Sequence, residues 1–294
     1  MWSVLQHLAI HGHEDSGLAL RSRGGGERSS FFRALSRNLA AQTSGTSGRQ
    51  GGLQWFLERG ADPNLKNPGS GDNTPLHVAV IAKASSEVLE LLLESGADPK
   101  IKQDDGRSPV ALAVRGGDES VVELLMRYGG IDDATPYDRL IGAAERNDDT
   151  GIQRALEVVD LRKSTREQKQ DFLDAADTGW TAAVKAMLLA GMDIAATTSM
   201  YHTTALDRAA LGGYADTVKF LVEQGAPLEV KHQWGGTPLG SALHALHHFP
   251  KEEGDYAAVV DALLAAGARH SFIKEPTGDA DVDEILRKHG VIGS

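Results

Sequence analysis

The apolar positions of this chain fall into two short patterns that alternate. In the first, Thr74-Pro75-Leu76-His77-Val78-Ala79 and Ser108-Pro109-Val110-Ala111-Leu112-Ala113 set Leu, Val and Ala at helical spacing behind a Thr-Pro or Ser-Pro start. A Thr or Ser hydroxyl caps free N–H groups at a helix start, and Pro is tolerated at the first helical position. The alanines keep the apolar face narrow, so that neighbouring helices can approach closely. In the second pattern, Leu91-Leu92-Leu93, Val121-Val122-Glu123-Leu124-Leu125 and Val218-Lys219-Phe220-Leu221 form stripes with the period of an amphipathic helix. Between the two, breaks such as Arg115-Gly116-Gly117-Asp118 allow the chain to reverse. Gly96, Gly225 and Gly267 stand where a left-handed residue should end the second helix. The polar stretch Lys102-Gln103-Asp104-Asp105-Gly106-Arg107 then has turn chemistry. The predicted unit is helix, turn, helix, loop.

The unit recurs. Ser108 follows Thr74 by 34 positions, and Thr237 of Thr237-Pro238-Leu239 follows Thr204 of Thr204-Ala205-Leu206 by 33. Gly-Ala-Asp-Pro occurs at 60–63 and again at 96–99. These units resemble ankyrin repeats, whose period is about 33 residues and whose signature includes the T-P-L-H-x-A that residues 74–79 carry complete. The resemblance covers roughly residues 31–294. It implies an all-α solenoid of helix-turn-helix units joined by hairpin-like loops, with about seven repeats, some degenerate, and a C-terminal capping helix.

The copies are uneven. Residues 31–64 read as a degenerate first repeat, with Phe31-Phe32-Arg33-Ala34-Leu35 and Leu53-Gln54-Trp55-Phe56-Leu57 as its helices and a flexible insertion over 43–52. Residues 138–160 match a helix pair without the Thr-Pro start or the terminal Gly-Ala-Asp, and residues 170–193 match another. In the unit from Thr237, Val259-Val260 arrives late, so His247 to Gly254 reads as an inserted loop. Val282 to Gly290 reads as the closing helix, since a solenoid needs an end unit that shields its last apolar face. Residues 1–30 read as a flexible extension. The charged stretch Leu161 to Lys169 is off-pattern and reads either as a helix extension or as a soft joint.

Composition narrows the function. A net charge of -11 disfavours phosphate backbones, and so nucleic acid, and disfavours anionic membrane surfaces. It steers a basic protein partner favourably. With no cysteine there is no disulfide, thiol nucleophile or cysteine metal site. No stretch reaches the roughly 20 apolar residues of a membrane span, and the N-terminal run MWSVLQHLAIHG lacks the positive start and cleavage site of a signal peptide. A cytoplasmic protein is the expectation.

Catalytic chemistry is hard to find. There is no Gly-Lys-Ser/Thr phosphate loop and no G-x-S-x-G elbow, and Gly24-Gly25-Gly26 follows no strand. His244, His247 and His248 have i, i+3 and i+4 spacing that could bring imidazoles to one helix face for zinc, but a third ligand is not evident. His11 and His13 are set down as non-ligating. Asp279 to Glu284 mimics the start of a calcium loop without its Gly or later Glu, and reads instead as acids at a helix N-terminus. Asp104-Asp105 and Asp148-Asp149 read as exposed turn acids, because general acid–base work needs a cleft and a perturbed pKa. The resemblance makes His77 a structural group tying helix start to hairpin. No enzyme activity, cofactor or metal is expected.

What remains is a protein-binding module. The resemblance implies that hairpin tips and the exposed side of the first helices line a concave face. The tip slots are Ser70, Gly71 and Asn73; Asp104, Asp105 and Arg107; Met200, Tyr201 and Thr203; and Gln233, Trp234 and Gly236. The helix slots are Ile81 and Ala82, Arg115 and Gly116, Leu211 and Gly212, and His244 and Ala245. Of these, Asp104, Asp105, Arg107, Arg115, Met200, Tyr201, Gln233, Trp234 and His244 are the candidate partner-binding residues. Trp, Tyr and Arg dominate binding hot spots. Trp234 and Tyr201 have a second reading, in which they fold back to cover neighbouring hairpins. The expected role is an adaptor, scaffold or inhibitor, as a monomer or in a complex with its partner. Neutralisation of a basic toxin, delivery as a secreted effector, and a metal site or enzyme built on His244–His248 stand as alternatives.

Overall fold

A computed structural model describes residues 50–67, 71–197 and 201–293. The first helix predicted at Phe31 to Leu35, the extension 1–30, Ser70 and Met200 lie outside the described residues. Within them the chain forms fourteen helices and no strand. They are α1 (Gln50–Glu58), α2 (Pro75–Ile81), α3 (Ser86–Glu94), α4 (Pro109–Arg115), α5 (Glu119–Arg127), α6 (Pro136–Glu145) and α7 (Asp149–Leu156). After these come α8 (Arg166–Asp177), α9 (Thr181–Leu189), α10 (Ala205–Leu211), α11 (Ala215–Glu223), α12 (Pro238–His248), α13 (Tyr256–Ala265) and α14 (Ala280–Lys288). From α2 to α13 they pack as consecutive pairs, first helix against second.

The local reason is the cap. Each first helix starts behind a hydroxyl residue that accepts the N–H three positions on: Thr74 from His77, Ser108 from Ala111, Thr135 from Asp138, Thr165 from Gln168, Thr204 from Asp207 and Thr237 from Gly240. A hydroxyl cap is worth about 1 kcal/mol over alanine. The second helices end as the sequence predicts, with Gly96, Gly225 and Gly267 at φ of 92°, 80° and 93°. A side chain there would be strained in the left-handed region.

The described residues form two compact units that divide between Val158 and Val159. In the first, α2, α4 and α6 pack side by side, and Leu76, Leu92, Leu125 and Leu140 are fully buried between the layers. The approach of α4 to α6 requires Gly142, whose hypothetical Cβ would lie 2.0 Å from the Val114 carbonyl oxygen. In the second unit, α8, α10 and α12 form one row and α9, α11 and α13 the other. Phe172, Leu173 and Met187 are among its fully buried side chains. The predicted closing helix is α14. It packs on α13 and is capped by Asp279, which accepts the Val282 N–H at 3.0 Å. The acids Asp281 and Asp283 stand in its first turn and Arg287 and Lys288 in its last, the arrangement the helix dipole favours.

Three expectations change, and a fourth is narrowed to one of its two alternatives over Arg166 to Lys169. Gln50, Gly51 and Gly52, placed in an insertion, belong to helix α1. The helix pair read from residue 138 does have a Thr-Pro start, at Thr135-Pro136, with a complete capping box closed by Asp138. Arg166 to Lys169 are the first turn of α8, ahead of which Leu161 is buried and donates its N–H to the Ala190 carbonyl at 2.7 Å. His247 and His248 are helical, so α12 runs a turn longer than α10, and the inserted loop begins at Phe249. That loop is pinned. The Lys251 ammonium donates to the Asp177 carbonyl at 3.1 Å and the Tyr214 hydroxyl at 3.0 Å, and Asp255 N–H donates to the Gly213 carbonyl at 2.9 Å.

Candidate functional site

The loops between units are stacked hairpin tips. In the first unit, Gln103 N–H donates to the Arg107 carbonyl at 3.0 Å and Gly106 N–H to the Gln103 carbonyl at 2.9 Å. Asp104 N–H then reaches the preceding tip, at the Gly71 carbonyl, 3.0 Å away. The second unit repeats the scheme: His232 N–H to the Gly236 carbonyl at 3.1 Å, Gly235 N–H to the His232 carbonyl at 2.8 Å, and Gln233 N–H to the Tyr201 carbonyl at 3.0 Å. Trp234 therefore stands where the other tip has Asp105, and Gly236 where it has Arg107.

The two tips do different things with these positions. Asp105 accepts from Gln103 Nε2, the Arg107 N–H and the Arg107 guanidinium, closing a polar turn on itself. Asp104 is exposed beside it. Trp234 instead lies 69% exposed, with its ring stacked on Tyr201 at 5.4 Å and 20°. Tyr201 is itself 40% exposed. The pair covers one ring face of each but leaves an aromatic surface open across two adjacent tips, with Gln233 exposed alongside.

His232, which the sequence reading passed over, supports this surface. Its Nδ1 accepts the Trp234 N–H at 3.1 Å and its ring meets Trp234 edge-on at 5.3 Å. The ring fits because residue 236 is glycine; a Cβ there would lie 2.4 Å from His232 Nε2. Beneath lies Asp207 of α10, buried and accepting the Ser241 hydroxyl of α12 at 2.7 Å. Burial pushes its carboxyl up, against the pull of the Ser241 hydrogen bond and the nearby His232 and Arg208. Aligning Lys231-His232-Gln233-Trp234-Gly235-Gly236 with Lys102-Gln103-Asp104-Asp105-Gly106-Arg107 gives the signal for His232, since an imidazole replaces the Gln side chain just where glycine replaces Arg.

Arg107 and Arg115 depart from the exposed slots expected of them. Both point at Asp138, fully buried at the start of α6: Arg107 Nε donates to Oδ1 at 2.9 Å and an Arg115 terminal nitrogen lies 3.4 Å from it. Arg115 is only 4% exposed and also lies over the Tyr137 ring at 5.2 Å. His77 occupies the place the resemblance gave it, with Nδ1 accepting the Thr74 N–H and Nε2 3.3 Å from the Arg107 carbonyl. With Nδ1 as acceptor, the proton sits on Nε2. His244 is exposed on α12, its ring 4.4 Å from His248 and 5.3 Å from Phe249. Among the described residues, no three histidine or acidic side chains converge as metal ligands, and no helix is long and apolar enough to cross a membrane.

Paired short helices joined by hairpin tips define a helical repeat architecture. Residues 39–136 match the family model for ankyrin repeats, in three copies, and that stretch of the chain is built of ankyrin repeats. Such repeats are generally protein–protein interaction modules. Rabankyrin-5 of Homo sapiens is 24% identical over 214 residues, covering 67% of this chain and 17% of that protein. The ankyrin repeat and KH domain-containing protein mask-1 of Caenorhabditis elegans is 28% identical over 177 residues, 58% of this chain and 6% of that one. A putative ankyrin repeat protein of Rickettsia felis is 34% identical over 76 residues, 24% of this chain and 33% of its own. The chain thus spans a third or less of the length of each of these relatives. Among solved structures, the human ASB11 ankyrin repeat domain covers 87% of this chain and 96% of its own at 17% identity and a TM-score of 0.38. An ankyrin repeat domain from Acinetobacter baumannii AYE covers 74% and 98% at 20% identity and a TM-score of 0.39.

Proposed function

We propose that this protein is a non-catalytic scaffold or inhibitor that holds a partner protein on the concave face lined by its hairpin tips and inner helix ends. The observation that carries this is Trp234, 69% exposed and braced against Tyr201 on the next tip. A large apolar ring at a turn costs solubility and gives the turn itself nothing that Asp105 does not give its counterpart. Rigid, preoriented aromatics are what hot spots are made of. The net charge of -11 favours a partner with a basic surface, by steering. Neutralisation of a basic toxin is the form of this reading in which the partner is a gene neighbour. Quantitative capture by the tagged full chain, compared with Trp234→Ala, tests the site. Partner affinity should fall about tenfold or more, as for a hot spot. Undiminished capture by the variant would move the binding face elsewhere.

A further inference from the structure

Two contacts tie Trp234 to the imidazole ring of His232. His232 Nδ1 is the acceptor for the Trp234 N–H at 3.1 Å, so the neutral ring carries its proton on Nε2. The same ring packs edge-on against Trp234 at 5.3 Å. The backbone N–H of the same residue closes the tip on the Gly236 carbonyl at 3.1 Å. The matching position of the other tip is Gln103, which has no such proton to gain and bonds Asp105 instead.

We infer that His232 is a proton-operated latch on the Trp234–Tyr201 surface, holding the pair stacked for a partner when neutral and releasing it when protonated. Protonation places a hydrogen on Nδ1, and Nδ1 then confronts the Trp234 N–H donor to donor. Asp207 on α10, buried nearby, interacts electrostatically with a charged His232. Of the other charged or titratable groups around it, Arg208 on α10 acts on Asp207, Lys231 precedes the ring in the chain, and the adjacent tip carries Tyr201 and His202. From α12 the neighbour is the Ser241 hydroxyl, which stays bonded to Asp207 and does not titrate. Glycine at 236 is what admits the ring to this position, since a Cβ there would lie 2.4 Å from His232 Nε2. Partner binding is then strongest near neutral pH and declines on mild acidification.

The inference rests on the reading of Trp234 as the docking side chain, but its test needs no partner, so the two fail separately. In the full-length protein, nuclear Overhauser cross-peaks between the Trp234 and Tyr201 rings are measured near neutral pH and at about pH 5, across the range in which histidine takes up its proton. The cross-peaks should be present near neutrality and lost in acid. His232→Asn keeps an acceptor two residues before the Trp234 amide, the Asx-turn geometry, but cannot titrate there. In that variant the cross-peaks should persist at both pH values. Cross-peaks that survive acid in the native chain, that are lost equally in the variant, or that are absent near neutrality would each overturn the latch.

Discussion

Arg107 and Asp138 join two consecutive repeats through a buried ion pair, with Nε donating to Oδ1 at 2.9 Å and Asp138 wholly shielded from solvent. Asp138 closes its own capping box, since its Oδ2 accepts the Thr135 N–H at 3.0 Å and the Thr135 hydroxyl at 2.6 Å. Burial alone would raise its carboxyl. The Thr135 bonds and the Arg107 charge outweigh that and hold it below the ordinary range. Replacing it with alanine leaves two guanidinium groups facing an apolar helix start. Breaking a buried pair in this way costs about 3–5 kcal/mol. Urea unfolding of Asp138→Ala should show that loss, whereas Asp104→Ala, on the same tip as Arg107 but exposed, should change stability by less than about 0.5 kcal/mol.

This pair also shows where sequence reading reaches and where it stops. Thr74-Pro75-Leu76-His77 was legible because cap, proline and N3 residue act within four positions. Thr135-Pro136 was missed because Tyr137-Asp138 follow it in place of Leu-His, although the physics of the cap is unchanged. The repeat resemblance puts Arg115 in an exposed helix slot, while its partner Asp138 is 23 positions away and invisible to any local pattern. The extra turn of α12 was hidden for a similar reason. His247, His248 and the following Pro250 look like loop residues, and what anchors the turn is Lys251 reaching back to residues 177 and 214. At the site, Trp234 stood out by its type alone. His232 and Asp207 did not, because their roles depend on which side chains meet across neighbouring repeats.

Gly142 is a packing requirement that propensity arguments would misjudge. Alanine in its place should stabilise an isolated helix by about 1 kcal/mol. In the protein its Cβ would meet the Val114 carbonyl oxygen at 2.0 Å, and backbone cannot step aside as a side chain can. Forcing α4 and α6 apart costs about 3 kcal/mol, so Gly142→Ala should unfold at lower urea despite the better helix former.

The loop after α12 should behave as a strap. Lys251 donates to the Asp177 carbonyl and the Tyr214 hydroxyl and lies over the Tyr214 ring at 4.7 Å. An exposed cation–π contact contributes about 0.5–1 kcal/mol. Lys251→Ala should lower stability by roughly that amount, and faster amide hydrogen exchange should appear at Gly254 and Asp255, whose N–H groups the loop fold holds.

His77 makes the first unit sensitive to acid. Burial depresses its imidazole below the ordinary 6.5, against the raising effect of the Arg107 and Ile101 carbonyls. The folded state therefore binds fewer protons than the unfolded one. The stability this group contributes is complete above the unfolded value and is lost as the pH falls from there through the folded one. His77→Gln keeps a capping-box side chain that does not titrate. It should cost about 1 kcal/mol at neutral pH through the bond to the Arg107 carbonyl. Melting temperatures measured from neutral to mildly acidic pH should fall less steeply in the variant than in the native chain.

Gly236 separates the shape of the aromatic surface from the stability of the fold. A Cβ at this position would lie 2.4 Å from His232 Nε2, the far end of a side chain that can rotate away at little cost. Stability of Gly236→Ala should therefore stay within about 0.5 kcal/mol of the native chain. The rotation would nonetheless break the Nδ1 bond to the Trp234 N–H and remove the ring that meets Trp234 edge-on. Tryptophan emission should shift to the red and acrylamide quenching should rise, with the urea midpoint unchanged. Unaltered emission would mean that Tyr201 alone holds Trp234 in place.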